Sequence, residues 1–462
     1  MDELLDASIA TLTKAYAAGS VSPVEVTRAT IARAERANPV LNALWAEHYD
    51  EALAAAAQSE ARWRRGEPQG PLDGVPVTIK DSIHKRGWPW LHGVAANRSR
   101  PLSTFDAPPA ARLDEAGAIT LAKTTMPDFG LLASGVSSAF GIVRNPWRTD
   151  SSPGGSSSGA GASLAAGIGF GSVGSDIAGS VRLPASHCGL VALKPTQGRI
   201  PHLAPSSMRS AGPMARSVTD AATLLTVLAR PDGRDTLSLA PESQPYEATL
   251  DGGGRGLRIG LLLDIGFGPA VEPAVAAAVR AAAGALAGDG AEIVPMAAPF
   301  DSDAYAPIDA VLRVRGRAEW ESLGPDGQAQ VLPAVAEWSA SAAGMSAIAF
   351  EAQMGVIAAN SQRFLKAQES LDLVLAPTLP MAGFAAELPG PVPGVPLAHT
   401  GYTALFNQTG QPAATVGWGL DPTGLPIGVQ VAGPRFADRL VLRVAAFLEA
   451  ARPAPLRWPV IR

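Results

Sequence analysis

The stretch that decides the reading runs Ser152-Pro153-Gly154-Gly155-Ser156-Ser157-Ser158-Gly159, answered further on by Gly174-Ser175-Asp176-Ile177-Ala178-Gly179-Ser180-Val181-Arg182. Between the two, Gly, Ser and Ala interleave with Ile, Leu, Val and Phe. That mixture belongs where backbones approach closely, not in a flexible linker. Residues 160–166 have helix-forming character, and residues 169–174 read as a small-residue strand or turn. Successive N–H groups around Ile177-Ala178-Gly179-Ser180 are able to converge as a nest for a developing oxyanion. A serine hydroxyl placed there is a poor nucleophile and needs a base.

Working outward, the candidate base is a lysine. The chain has six: Lys14, Lys80, Lys85, Lys123, Lys194 and Lys366. Lys80 ends Gly74-Val75-Pro76-Val77-Thr78-Ile79-Lys80, which reads as a short buried strand. An amine carried into an apolar interior loses proton affinity and becomes able to act as a base. The same residues also fit a structural turn and a lysine that snorkels to solvent. Residue chemistry alone leaves both readings open.

Other patterns are weaker. Gly169-Phe170-Gly171-Ser172-Val173-Gly174 has dinucleotide-type glycine spacing, but the helix precedes it where that motif needs one to follow. Residues 117–124 lack the second glycine of a phosphate loop. Gly155 to Gly159 matches a nucleophile elbow around Ser157, yet His187, His202 and His399 sit in no telling context. The single cysteine, Cys188, lies in an apolar run and reads as core. It also excludes a disulfide framework. No histidine spacing suggests a metal, and none is expected; His84 and His92 stand isolated.

Composition sets the frame. The 462 residues are 47% hydrophobic and 17% charged, with formal net charge −5. That is enough to bury a large core, and no basic surplus points to nucleic acid or an anionic membrane. The N-terminus, Met1 to Asp6, is acidic and helix-like, without a signal-peptide pattern, and no apolar run is long enough to span a membrane. A cytoplasmic protein is expected, working as a monomer or homodimer.

Residues 1–65 read as helices, with a capping box at Ser22-Pro23-Val24-Glu25. Residues 66–200 hold the core motifs. Residues 257–263, 273–287 and 292–294 read as strand, helix and strand, and 373–377, 413–416 and 427–431 as further strands. Residues 300–368 are mostly helical and carry no readable motif. The alternation implies one large α/β domain.

Taken together, these residues closely resemble the amidase signature family. The match runs from Ser152 through Lys194-Pro195-Thr196. Upstream it includes Leu72 to Asp81 and Ala122 to Phe129; downstream, residues 212–217, 406–413 and 424–430. The resemblance implies a three-layer α/β/α fold with a large central mixed sheet. It implies Lys80 as base, Ser156 as bridging serine after a cis Gly155–Ser156 bond, and Ser180 as nucleophile. The N–H groups of Ile177, Ala178, Gly179 and Ser180 would form the oxyanion hole, with Ser157, Asp176 and Arg182 as supports. Ala178 stands where the family usually has Gly, so a glycine-only backbone angle is in question there; Ser158 also replaces a common Gly.

No cofactor is implied. The expected substrates are small amides, with carbamates or esters open to the same attack. Met126, Phe129, Leu131 and Leu132 suggest an apolar cleft that favours aryl or acyl-chain substrates over glutamine. Residues 300–400 would shape the pocket. A glutaminase component of a tRNA-dependent amidotransferase shares the same motifs, and a non-catalytic binding protein on this scaffold is the third alternative.

Overall fold

Helix starts lie where the sequence places them. Ser22 Oγ accepts from the Glu25 N–H at 3.1 Å, and Glu25 accepts from the Ser22 N–H at 2.8 Å, opening the helix Pro23–Leu41. This reciprocal cap satisfies two donors that a helix otherwise leaves orphaned. Ser217 caps Val218–Leu228 through the Asp220 N–H. The structure, a computed structural model, describes residues 2–461. Of the acidic N-terminal turn, Met1 lies outside them and Asp2–Leu5 is helical.

In chain order the first strands are β1 (Leu44–Trp45), β2 (Pro76–Lys80), β3 (Ile119–Thr124), β4 (Val136–Ser137), β5 (Gly141–Ile142) and β6 (Gly171–Asp176). Then come β7 (Val191–Lys194), β8 (Ser210–Ala215), β9 (Arg258–Leu261), β10 (Glu292–Pro295), β11 (Leu373–Pro377), β12 (Ala413–Leu420) and β13 (Pro426–Ala432). β4 and β5 pair separately, and the other eleven described strands form one sheet ordered β1-β3-β2-β6-β8-β7-β12-β13-β11-β9-β10. β3, β2 and β6 are parallel, as are β11, β9 and β10, with antiparallel pairs between. This is the mixed sheet flanked by helices that the sequence implies. The expected strand–helix–strand unit is β9, the helix Pro273–Gly288 and β10.

Two central strands escape sequence reading. β8 is Ser-Ala-Gly-Pro-Met-Ala, with no β-branched or aromatic residue. It is extended because β6 and β7 hydrogen-bond it from both sides. The flanking β7 is too short to show a period. Residues 306–367 are mostly helical, as expected: Ala306–Glu321, Gly324–Gln328, Pro333–Ala340 and Ala347–Ala367. Among the described residues no helix is long and apolar enough to cross a membrane.

One register positions the site. β2 and β6 run side by side, Thr78 opposite Ser172 and Ile79 opposite Val173. Their carboxyl ends, at Lys80 and Asp176, therefore reach the same edge of the sheet. In open α/β sheets that edge is where ligands bind.

Candidate active site

β2 has a parallel neighbour on each side, so its five residues are all buried. Lys80 is closed to solvent. Its Nζ donates to Ser156 Oγ at 2.8 Å and lies 3.3 Å from Ser175 Oγ. Burial pulls this amine down to about 7; the Asp176 charge opposes the shift and the Arg209 charge adds to it. A sizeable neutral fraction at neutral pH lets the amine accept a proton.

Ser156 precedes the helix Ser158–Ala165, and the Gly155–Ser156 bond is cis. Ser180 ends the turn that follows β6, and its carbonyl accepts from the Ser157 N–H at 3.1 Å. Ser156, Ser175, Ile177 and Ser180 line one narrow cavity of ≈ 90 Å³.

The turn is held from beneath by Asp176. Its carboxylate accepts from the Gly179 N–H at 2.7 Å, the Val181 N–H at 3.2 Å and two guanidinium nitrogens of Arg182 at 2.9 and 3.0 Å. Burial alone would raise this carboxyl; the Arg182 charge and hydrogen bonds from Arg182 and Asn407 outweigh it and hold it at about 2. Arg182, itself fully buried, also donates to Gln430 Oε1 at 2.7 Å and Asn407 Oδ1 at 2.6 Å. Sequence reasoning matched the segments holding Asn407 and Gln430 but gave neither a role. The one signal in the sequence was an amide side chain inside an apolar run.

Two expectations for the turn change. The Gly179 N–H is taken up by Asp176, so it braces the turn instead of facing a substrate. The N–H groups of Ile177, Ala178 and Ser180 have no hydrogen-bond partner among the described residues. Ser157 Oγ is buried without a partner, so its support comes through its backbone N–H. The left-handed angle falls on Gly179, at φ 121°, where a Cβ would come within 2.3 Å of Thr403 Oγ1. Ala178 has no such angle and is accommodated. Ser158 is buried at the start of its helix and donates to the Thr125 carbonyl at 3.3 Å.

The cleft is also corrected. Met126, Phe129 and Leu131 line the cavity, but Leu132 does not; it packs in a hydrophobic cluster with Val94, Val311 and Leu312. Nor is the lining only apolar, because His92, Arg209, Arg315 and Glu319 reach it too. Arg315 and Glu319 come from the helix Ala306–Glu321, where the sequence showed no motif. Gly316 brings that helix close: a Cβ there would lie 2.9 Å from Leu131 Cδ1. His92 stacks on Trp90 at 5.1 Å, and burial with nearby positive charge lowers it to about 3, so it is neutral at physiological pH.

Cys188 is buried and desolvation raises its thiol, which suits a core residue. His187, His202 and His399 are buried and lie outside the cavity lining. Among the described residues no group of three His, Cys, Asp or Glu is placed to hold a metal ion.

A mixed α/β sheet with lysine and two serines gathered at its carboxyl edge defines a serine–lysine class of site. A family model described as Amidase matches residues 25–442. A glutamyl-tRNA(Gln) amidotransferase component from Geobacter metallireducens is 32% identical, covering 97% of this chain and 98% of its own. Its counterpart from Chloroflexus aurantiacus is 34% identical, covering 96% of each. Among solved structures, a bacterial aryl acylamidase of the amidase signature family superposes with TM-score 0.89 at 29% identity, over 97% of this chain and 96% of that one. A 6-aminohexanoate cyclic dimer hydrolase also gives 0.89, at 30% identity, over 98% and 99%. The chain belongs to the amidase (amidase signature) family and is an amidase-type hydrolase of C–N bonds in small-molecule amides.

Proposed function

We propose that this protein hydrolyses linear amides through an acyl-enzyme on Ser180, with Ser156 as proton relay and Lys80 as base. The observation that carries the reading is the 2.8 Å contact between the buried, pKa-lowered Lys80 amine and Ser156 Oγ, in the cavity that Ser180 also lines. Ser180 Oγ forms a bond to the amide carbonyl carbon while its proton passes to Ser156 Oγ, whose own proton goes to Lys80 Nζ. The oxyanion is met by the N–H groups of Ile177, Ala178 and Ser180. The C–N bond breaks as the leaving nitrogen regains a proton by the reverse path. Water then attacks the ester along the same route and releases the acid. Because this machinery acts on the carbonyl, carbamates and esters are open to the same attack.

A second reading, the glutaminase component of an amidotransferase, is favoured by the amidotransferase relatives, which match nearly end to end. A matched panel of anilide, primary amide, carbamate, ester and glutamine on the purified chain separates the two. The amidase reading expects anilide or primary amide to be turned over fastest without added partners. Ammonia release from glutamine alone, with co-purifying partner proteins, would favour the second. Absence of fluorophosphonate labelling at Ser180 would overturn both.

A further inference from the structure

One wall of the cavity is idle in that chemistry. Arg315 and Glu319 lie one helical turn apart, a spacing at which Arg and Glu commonly pair. Their helix neighbours do pair: Arg313 with Asp309 at 2.6 Å, and Arg317 with Glu321 at 2.7 Å. The Arg315 side chain makes neither a hydrogen bond nor an ion pair with any other described residue, and the Glu319 carboxylate likewise has no such partner. Arg315 is half-buried and Glu319 exposed.

Arg209 reaches the same cavity from the strand side. It donates to the Ala204 carbonyl, while its Nε is buried with no partner. Its backbone is braced by Gln197 Nε2, which donates to the Arg209 carbonyl at 2.9 Å. Burial and then the Arg315 charge lower the Arg209 guanidinium from its usual value. Burial alone lowers the Arg315 guanidinium, and the Glu319 charge offsets part of the shift at Arg209; two partly desolvated guanidinium groups facing one cavity would be stabilised by an anion placed between them. Among the side chains lining the cavity, two positive charges against the Glu319 carboxylate leave a surplus of one. His92 adds none because it is neutral, and Arg100, whose charge also acts on Glu319 and His92, adds to the positive side.

We infer that the preferred amide substrate carries a single carboxylate, bound by Arg209 and Arg315 while its scissile carbonyl lies at Ser180. This inference rests on the function proposed above. The guanidinium fork suits a planar carboxylate, which it can grip with paired hydrogen bonds. Arg209 and Arg315 are then specificity-determining residues, and the aryl and acyl-chain preference expected from the apolar segment applies only to the remainder of the substrate.

The test uses the purified full chain and two matched pairs. On the acyl side, the 4-nitroanilide of butyrate is set against the mono-4-nitroanilide of glutarate. On the leaving side, butyranilide is set against N-butyryl-3-aminobenzoate. In one arm the carboxylate member should have about tenfold or more higher kcat/KM, the size expected of a charge-assisted contact. Its KM should rise with salt. The ratio should fall towards one in Arg209→Met and Arg315→Met. Arg315→Glu should reverse it in favour of an amine-bearing amide, a result that a merely structural arginine would not produce. Fluorophosphonate labelling at Ser180 verifies that each variant is folded. Intact labelling with no carboxylate preference in either arm, or a preference unchanged in both Met variants, overturns the inference alone. Failure of the wild type to label overturns the function beneath it.

Discussion

Asp176 and Glu319 are both acids of the catalytic region, built to opposite rules. The Asp176 carboxylate is closed to solvent and accepts from Gly179, Val181, Arg182 and Asn407. Glu319 is exposed at the cavity and pairs with none of the described residues. The same contrast separates their regions. The seam of β2, β6 and the serine turn closes its charged groups on one another. It leaves the Ile177, Ala178 and Ser180 N–H groups and Ser157 Oγ unbonded among the described residues. The helix Ala306–Glu321 leaves polar groups open towards whatever enters. A site needing one fixed chemistry and an adjustable ligand divides in this way: satisfied networks hold geometry, and unpaired charges wait for a partner.

The largest expected effect tests whether burial or contact makes the base. Lys194 is as buried as Lys80 and also pulled down to about 7, chiefly by desolvation, but its Nζ donates to the Pro195 carbonyl and meets no serine. Lys80→Met should lower kcat by roughly ten-thousand-fold, the scale seen when a catalytic unit loses a member. Lys194→Met should leave kcat within the same order of magnitude. Steady-state kinetics on a chromogenic anilide decides it; equal losses would mean that burial alone had been mistaken for function.

Next in size is the seam's stability. Asp176→Asn leaves the Arg182 charge buried without its counter-ion, a loss of about 3–5 kcal/mol. Denaturant unfolding should show it as a lower midpoint at unchanged slope. On the helix above the cavity the corresponding cut is cheaper. Arg317→Ala removes a partly exposed pair with Glu321 and a cation–π contact with Trp320 at 4.4 Å, and the same measurement should move by no more than about 1.5 kcal/mol.

The pH dependence sharpens the seam's side of the comparison. With Lys80 as the proposed base, activity requires the neutral amine, and because the Lys80 value is lowered, kcat/KM should rise with pH and level off above about 7. Asp176 stays ionised throughout that range and should contribute no limb of its own. An acid limb that rises only near the ordinary lysine value would place a solvated lysine in the role.

Much of the seam is legible in the chain because it is local. Lys80 ends a readable strand, Ser156 and Ser180 sit in short glycine-rich runs, and capping residues mark helix starts. Lys194 shows the limit: it too ends an apolar run, Leu190-Val191-Ala192-Leu193, and nothing local says which of the two buried amines meets a serine. Leu132 shows another, since adjacent leucines at 131 and 132 join the same hydrophobic cluster and only Leu131 also reaches the cavity.

By itself, then, the sequence determined the family, the mixed α/β sheet and the residue types that break the bond. The α/β class depends on periodicity and caps, and the family, with the mixed sheet and residue roles it implies, on a resemblance carried by short motifs; neighbours along the chain encode all of these. Only the tertiary structure decided which of three buried lysines meets a serine, which amide in the turn is already bonded, and that Arg209, Arg315 and Glu319 share a wall with Ser180. These are facts about groups far apart in the chain. They are fixed by strand register and by how closely one helix packs, and no local pattern carries either.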